Sequence, residues 1–536
     1  MHIQEIILFC LVLIFSVCLL VIIARKLKIP YPIFLVIAGL IISIIPGVPA
    51  VQIDPDLVFL VILPPILYDA AQNMSLKGLW KWRRIITGMA LGFVLFTATA
   101  VAFISTWLIP GFTLAQGFLL GAIISPPDAA AASALLQYIR LPKGITTILE
   151  GESLLNDATS LTLFRFALAA IVSGNFIWYE AASGFLLVVI SGISIGFLYG
   201  LLFYAVYKWL PTTSNIDIAI SLAIPYVMYI TAESIHSSGV LAVVSGGLYI
   251  AYQNHFVFSN KSRLKSGAIW SSIAFILNAI VFFILGLQLP AIINGVNSMS
   301  KLGAWKIALV VTVAVIVARL VAALFTSVFT RFISRFITVA YNKPGWRNPV
   351  VISWAGMRGV VSLASALAIP LMLAGKAFPH RDLILFITFV VIIVTLVVQG
   401  LLLPWVIKWI KPEAIPVKKS DDQQILEINL AVNNAGLDEL YARYKDDIDS
   451  NILLKHKFEF LKRKGELLRR SNEGDGTRKN ANEMIQHYKN VMLKVTEKER
   501  KKLHAFRRKD DYDDDIIKLI EKRLDLEEET LQEDAE

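Results

Sequence analysis

Long apolar runs separated by short polar punctuation fill the first three quarters of the chain. A helix rises about 1.5 Å per residue, so about 17 to 25 apolar residues cover the hydrocarbon layer of a bilayer. Thirteen such stretches are expected, at 3–24, 31–46, 56–71, 85–109, 113–136, 145–172, 184–207, 216–233, 238–252, 268–288, 304–330, 349–372 and 383–410. The second, third and ninth are short for a crossing, which leaves the count open by one. The first run is followed by Arg25, Lys26 and Lys28 and has no A-x-A cleavage pattern. That order reverses a secretory signal peptide, so a permanent helix is expected. Beyond Pro412 the pattern becomes amphipathic, as at Ile425, Leu426, Ile428 and Leu430, and later at Ile516, Ile517, Leu519, Ile520 and Leu524. SNEGDGT, at 471–477, reads as a loop between helices. The chain is therefore expected to divide into a transmembrane domain, 1–411, and a cytoplasmic helical tail, 412–536, with a regulatory role.

Composition agrees with this division. The 536 residues are 56% apolar and 17% charged, with a mean hydropathy of +0.64 and a net charge of +10. Soluble domains average about 45–50% apolar and about 25% charged. Up to Lys411 there are 26 Lys/Arg and 12 Asp/Glu; the tail holds 25 and 29. A water-soluble monomer, a disulfide scaffold and a disordered chain are excluded. The excess of basic residues lies in loops, so it implies no nucleic-acid partner. Cys10 and Cys18, eight apart in one apolar run, read as packing or lipid-facing residues rather than a redox pair.

The loops between spans provide an orientation. Those following odd-numbered spans, with the end of the last helix, carry 19 Lys/Arg, and the opposite loops only Lys301, Lys306, Lys376 and Arg381. Positive loops stay cytoplasmic, so the N-terminus is expected outside and the tail in the cytoplasm. In the tail, the basic run KERKKLHAFRRK at 498–509 reads as a solvated face balanced by the acidic DDYDDD that follows, with contact to anionic lipid as the alternative.

Three arginines remain inside spans, Arg165, Arg319 and Arg358, together with Asp128, Glu152 and Asp157; Asp69, Glu150 and Glu233 lie nearer helix ends. A charge at the bilayer centre costs at least about 2.5–3.5 kcal/mol, so these groups are expected to mark an ion or proton pathway. In GESLLNDATSL, Glu152 and Asn156 share a helix face, Ser153 precedes Asp157 by four residues, and the turn presents oxygen ligands suited to a hard cation. In SPPDAAAASAL, Pro126 and Pro127 should unwind the helix before Asp128. WAGMRGVVSLASA carries a matching interruption, with Gly356 and Gly359 bracketing Arg358. Paired breaks in corresponding spans of two inverted halves point to a transport site at the midplane. There Asp128 is expected to face helix N-termini, and Arg358 helix C-termini.

GESLLNDATSL, SPPDAAAA, LPPILYDA at 63–70, the ARL around Arg319 and GMRGVVSLA occur in order within residues 1–410. Together they resemble the monovalent cation:proton antiporters of the sodium/proton exchanger family. The resemblance implies an all-α polytopic membrane protein of about 13 helices in two inverted repeats with crossed, interrupted helices. It implies a homodimer in the bacterial inner membrane that exchanges Na+, or alternatively K+ or Li+, for H+ in pH and cation homeostasis, with no cofactor and no enzymatic activity. By the same resemblance Asp157 carries ion and proton, Asp128 and Ser153 help to ligate the cation, and Asn156 places the chain in the electroneutral branch. Glu152 and Arg319 correspond to a supporting ion pair. Pro126, Pro127, Gly356, Arg358 and Gly359 form the helix crossing. Two departures stand out: Pro127-Asp128-Ala129 replaces the usual Thr-Asp-Pro, removing a threonine ligand, and Arg165 stands where a neutral or weakly basic residue is expected. Snorkelling to the outer surface would accommodate Arg165.

Two other classes remain on the residues alone. A cation-coupled symporter of an organic solute shares interrupted helices but would need more binding groups. A channel would need a carbonyl filter or ring-forming repeat, and neither is present. An intramembrane hydrolase has little support: there is no HExxH or GxSxG, and His236 reads as a solvated loop residue.

Overall fold

The computed structural model describes residues 3–46, 54–128, 131, 134, 141–174, 178–210, 212–295, 300–333, 335, 345–373, 376–413, 421–470, 475–506, 520 and 524–528. The chain divides into two compact units, Met1–Ile415 and Pro416–Glu536.

In the first unit a described helix lies in each of the expected apolar stretches: α1 (Ile3–Leu27), α2 (Tyr31–Ser43), α3 (Leu63–Asn73, led by a π-helical turn at Leu57–Ile62), α4 (Leu76–Leu108), α5 (Leu114–Ile124), α6 (Lys143–Ser173), α7 (Trp178–Trp209), α8 (Ser214–Ser234), α9 (Gly239–Val257) and α10 (Asn260–Leu287). After the short α11 (Leu289–Gly295) come α12 (Lys301–Ile333), α13 (Arg347–Trp354), α14 (Val360–Leu367), a two-stranded antiparallel ribbon (β1, Met372–Leu373; β2, Lys376–Ala377) and α15 (Arg381–Ile393). A π-helical turn at Val394–Gln399 joins α15 to α16 (Gly400–Ile410). Among the described residues, seven helices are long and apolar enough to cross a membrane by themselves: α4, α6, α7, α8, α10, α12 and the composite at 381–410.

Small residues bring the inner helices together. A Cβ added to Gly117 would lie 2.7 Å from Ala102 O, and one added to Gly121 would lie 2.5 Å from Ala98 O. Glycines four apart on α5 therefore face alanines four apart on α4, backbone against backbone. Membrane helices pack in this way because lipid supplies no hydrophobic drive between them, leaving van der Waals contact to hold the pair. Thr113 and Gln116 form a reciprocal capping box at the start of α5, with Thr113 N donating to Gln116 Oε1 at 2.9 Å. The outer face of α7 is apolar and exposed, as at Leu187 (68%) and Leu198 (63%), which suits lipid contact.

The second unit contains α17 (Asp421–Arg443), α18 (Lys445–Ser450), α19 (Ile452–Arg470) and α20 (Asp475–Phe506). Asn433 Nδ2 donates to Leu461 O at 2.9 Å, tying α17 to α19. Of the loop expected at 471–477, residues from Asp475 on already belong to α20, and 471–474 lie outside the described residues. Of the late apolar run only Ile520 and Leu524 are among the described residues.

Candidate functional site

Two broken spans face one another. The fifth span is helical to Ile124 and leaves the helix at Ser125, where Pro126 and Pro127 withhold two backbone donors. Past Asp128, residues 131 and 134 are helical, and the rest of 129–140 lies outside the described residues. The other break separates α13 from α14 at residues 355–359.

Each break is tied to the other. Asp128 N donates to Met357 O at 2.7 Å. Arg358, fully buried, donates from Nε to Ile124 O at 3.0 Å and from Nη1 to Gly356 O at 2.7 Å. Its guanidinium thus meets the carbonyl end of α5, where the helix dipole is negative. The carboxylate of Asp128 lies against Gly359, the N-cap of α14, so closely that a Cβ there would collide with Asp128 Oδ2. The break positions a fixed anion and a fixed cation at helix ends of opposite polarity. Gly359→Ala should therefore displace either Asp128 or α14. Overpacking of this kind costs about 1–3 kcal/mol, and transport should fall at least about tenfold. Initial exchange rates in proteoliposomes, normalised to folded protein, measure this, and a rate equal to wild type would contradict the contact.

The groups on α6 sort into two sets. Asp157 and Ser153 line a cavity of about 470 Å³ together with Asp128. Asp157 is 8% exposed, and Ser153 Oγ donates to Pro127 O at 3.3 Å, joining α6 to the proline break. Glu152 and Asn156 do not line this cavity. They turn to the other side of α6, where Asn156 Nδ2 donates to Glu152 Oε1 at 3.2 Å and Arg319 Nη2 lies 2.9 Å from the same oxygen. Arg319 also donates from Nε to Ser353 O at 3.3 Å, and its Cζ is 5.6 Å from the centre of the Phe93 ring. Gly356 makes room for this guanidinium: a Cβ there would collide with Arg319 Nε. Glu152, Asn156 and Arg319 are all essentially inaccessible to solvent.

Further residues contribute to the site. Tyr31, Asn73 and Asn278 line the cavity beside the carboxylates, and Asp69 and Glu150 also reach it. Thr395, in the π-helical turn, accepts from Arg358 N at 3.2 Å, and Gln399 O in the same turn accepts from Trp354 Nε1 at 3.1 Å. Polar residues within an otherwise apolar run were the available signal for Thr395 and Gln399. Arg165 stays partly exposed, as snorkelling expects, and in addition its Nη2 pairs with Glu233 Oε2, while Glu233 Oε1 accepts from Gly239 N at 3.1 Å. The pair joins α6 to the α8–α9 corner while both side chains remain partly exposed. His236 lies exposed at this corner.

A family model described as sodium/hydrogen exchanger, transmembrane, matches residues 12–409. The chain belongs to the sodium/hydrogen exchanger family. As a member of a transporter family it is a membrane protein and not an enzyme. It is 34% identical over 386 residues to a sodium, potassium, lithium and rubidium/H+ antiporter of Bacillus pumilus, an alignment covering 70% of this chain and 57% of that one. The chain thus spans little more than half the length of that relative. It is 31% identical over 515 residues to an uncharacterized Na+/H+ exchanger of Mycobacterium bovis, covering 95% of this chain and 93% of the other. Among solved structures, the sodium proton antiporter MjNhaP1 of Methanocaldococcus jannaschii superposes with a TM-score of 0.60 at 19% identity, over 75% of this chain and all of that one. This likeness establishes the fold, a nearly all-helical membrane architecture.

Proposed function

We propose that this chain is a secondary active transporter that exchanges a monovalent cation for a proton by alternating access. The observation that carries the reading is the meeting of Asp157, Asp128 and Ser153 in one cavity beside a broken membrane helix. Oxygen donors of this kind suit a hard cation, and the cargo is Na+ first, with K+ and Li+ as alternatives. Asp157 carries the proton or the cation, never both, and Asp128 and Ser153 complete its coordination. An unliganded carboxylate is too costly to carry across a dry barrier, so the loaded or protonated forms are the ones that cross.

Asn156 is neutral and bonded to Glu152, which leaves one exchanging carboxylate on this turn of α6 and a stoichiometry of one proton per cation. Glu152 and Arg319 support α6 from behind. The protein acts as a homodimer in the bacterial inner membrane, N-terminus outside, with the tail as a cytoplasmic regulatory unit. Na+, K+ and H+ are cargo, and no resident cofactor enters the cycle.

The test uses proteoliposomes with an imposed pH gradient and no organic solute. Na+ or K+ alone should dissipate the gradient; a requirement for an organic co-substrate would favour the symporter reading. Clamping the membrane at 0 and then at about −100 mV should leave the balance point unchanged. A net unit charge per cycle would couple about 2.3 kcal/mol per 100 mV and shift it roughly 50-fold.

A further inference from the structure

A second cavity, of about 1150 Å³, lies between α4 and α12, apart from the ion cavity. Its walls belong to helices long and apolar enough to cross a membrane, and Phe96, Phe325 and Phe329 in its lining are exposed, which suits an opening toward hydrocarbon. Gly88 and Gly92 form one wall, and a Cβ at either would meet nothing within 4 Å. These glycines differ from Gly117 and Gly121, whose missing side chains are replaced by a neighbouring backbone. Opposite stand Phe325 and Phe329, stacked at 6.1 Å and exposed. In a membrane, an open apolar furrow of this shape is filled by an acyl chain.

One end of the furrow is basic. Lys81, Arg83 and Arg84 line it there, and the far end, at Phe96 and Val321, is apolar. Arg83 donates to Trp80 O at 2.7 Å, and its guanidinium lies 4.2 Å from the Trp80 ring centre, an arrangement typical of the membrane–water boundary. From Lys81 to Phe96 is about 22 Å along the helix at 1.5 Å per residue. That length matches a headgroup zone plus one leaflet of a core about 30 Å thick.

We propose that this furrow binds one anionic phospholipid, with its headgroup at Lys81, Arg83 and Arg84 and one acyl chain between Gly88, Gly92 and the Phe325–Phe329 pair. The charged rim selects an anionic headgroup over a zwitterionic one, and the long apolar furrow selects a lipid over free phosphate. The site reaches the transport machinery through Phe93, which lines the furrow and also touches Arg319.

The test is native mass spectrometry and thermal melting of the full, delipidated chain titrated with dioleoyl-phosphatidylglycerol, dioleoyl-phosphatidylcholine or inorganic phosphate. Phosphatidylglycerol should be retained at one copy per chain at this site and raise the melting temperature, while phosphatidylcholine and phosphate do neither. Each Lys or Arg near an anionic headgroup changes affinity about fivefold, so Lys81→Gln with Arg84→Gln should weaken retention about 25-fold. Gly88→Leu with Gly92→Leu should abolish it while leaving the lipid-free melting temperature unchanged, because the space is open. If the glycine variant melts early, the charge variant alone decides. Equal retention of both lipids, or phosphatidylglycerol retention unaffected by the charge variant, overturns the site. None of these readouts depends on transport.

Discussion

Asp157→Asn is expected to abolish cation-driven proton flux, by at least about 100-fold, equivalent to more than about 2.7 kcal/mol. Asparagine keeps the shape of a protonated aspartic acid but can neither release that proton nor offer a charge to a cation. Asp157 and Asp128 face the same cavity, so the substitution also removes one of two neighbouring anions, and melting should occur at or above the wild-type temperature. Retained folding with lost exchange would separate a carrier from a packing residue. Substantial Na+- or K+-driven proton flux through Asp157→Asn would remove Asp157 from the mechanism and leave Asp128, Asp69 and Glu150 as the carboxylates at the cavity.

Arg319→Ala should damage folding first and transport as a consequence. The guanidinium is enclosed by Glu152 at 2.9 Å, Ser353 O at 3.3 Å and the Phe93 ring. Removing one member of a buried ion pair strands the other, at a cost of about 3–5 kcal/mol. Yield and melting temperature should both drop sharply. A double variant, Glu152→Gln with Arg319→Ala, removes both charges and should be more stable than Arg319→Ala alone, giving a favourable coupling against the two single variants. If the double variant is no more stable than Arg319→Ala alone, Glu152 and Arg319 are not energetically paired.

The fold was legible because the bilayer allows few answers. Apolar stretches of bilayer length recovered the helices, and loop charge implied an odd number of crossings. The charges of the site were legible for the same reason: a charge in lipid requires a partner, which directs attention to Arg319, Arg358, Glu152 and Asp128. Helical spacing placed Glu152 and Asn156 on one face, and the two are hydrogen-bonded across that face.

Contacts set by packing between distant segments were not legible. In a span apolar on every side the periodicity has no phase, so nothing in the run 383–410 reveals that a π-helical turn presents Thr395 to Arg358. Phe93 is one aromatic among many until α12 brings Arg319 beside it. The Arg165–Glu233 pair joins residues 68 apart in sequence and depends on how α6 meets the α8–α9 corner.

The reciprocal bonds between the two breaks bear on how the site can move. Asp128 donates to a carbonyl of the second broken span, and Arg358 donates to a carbonyl of the first. Sliding one segment past the other would cost the buried Arg358 Nε its acceptor, Ile124 O, and leave the guanidinium only its bond to Gly356 O. Under the alternating-access reading the two breaks are expected to move as one cassette, so substitutions on the surfaces around it should tune speed without altering which ion is chosen.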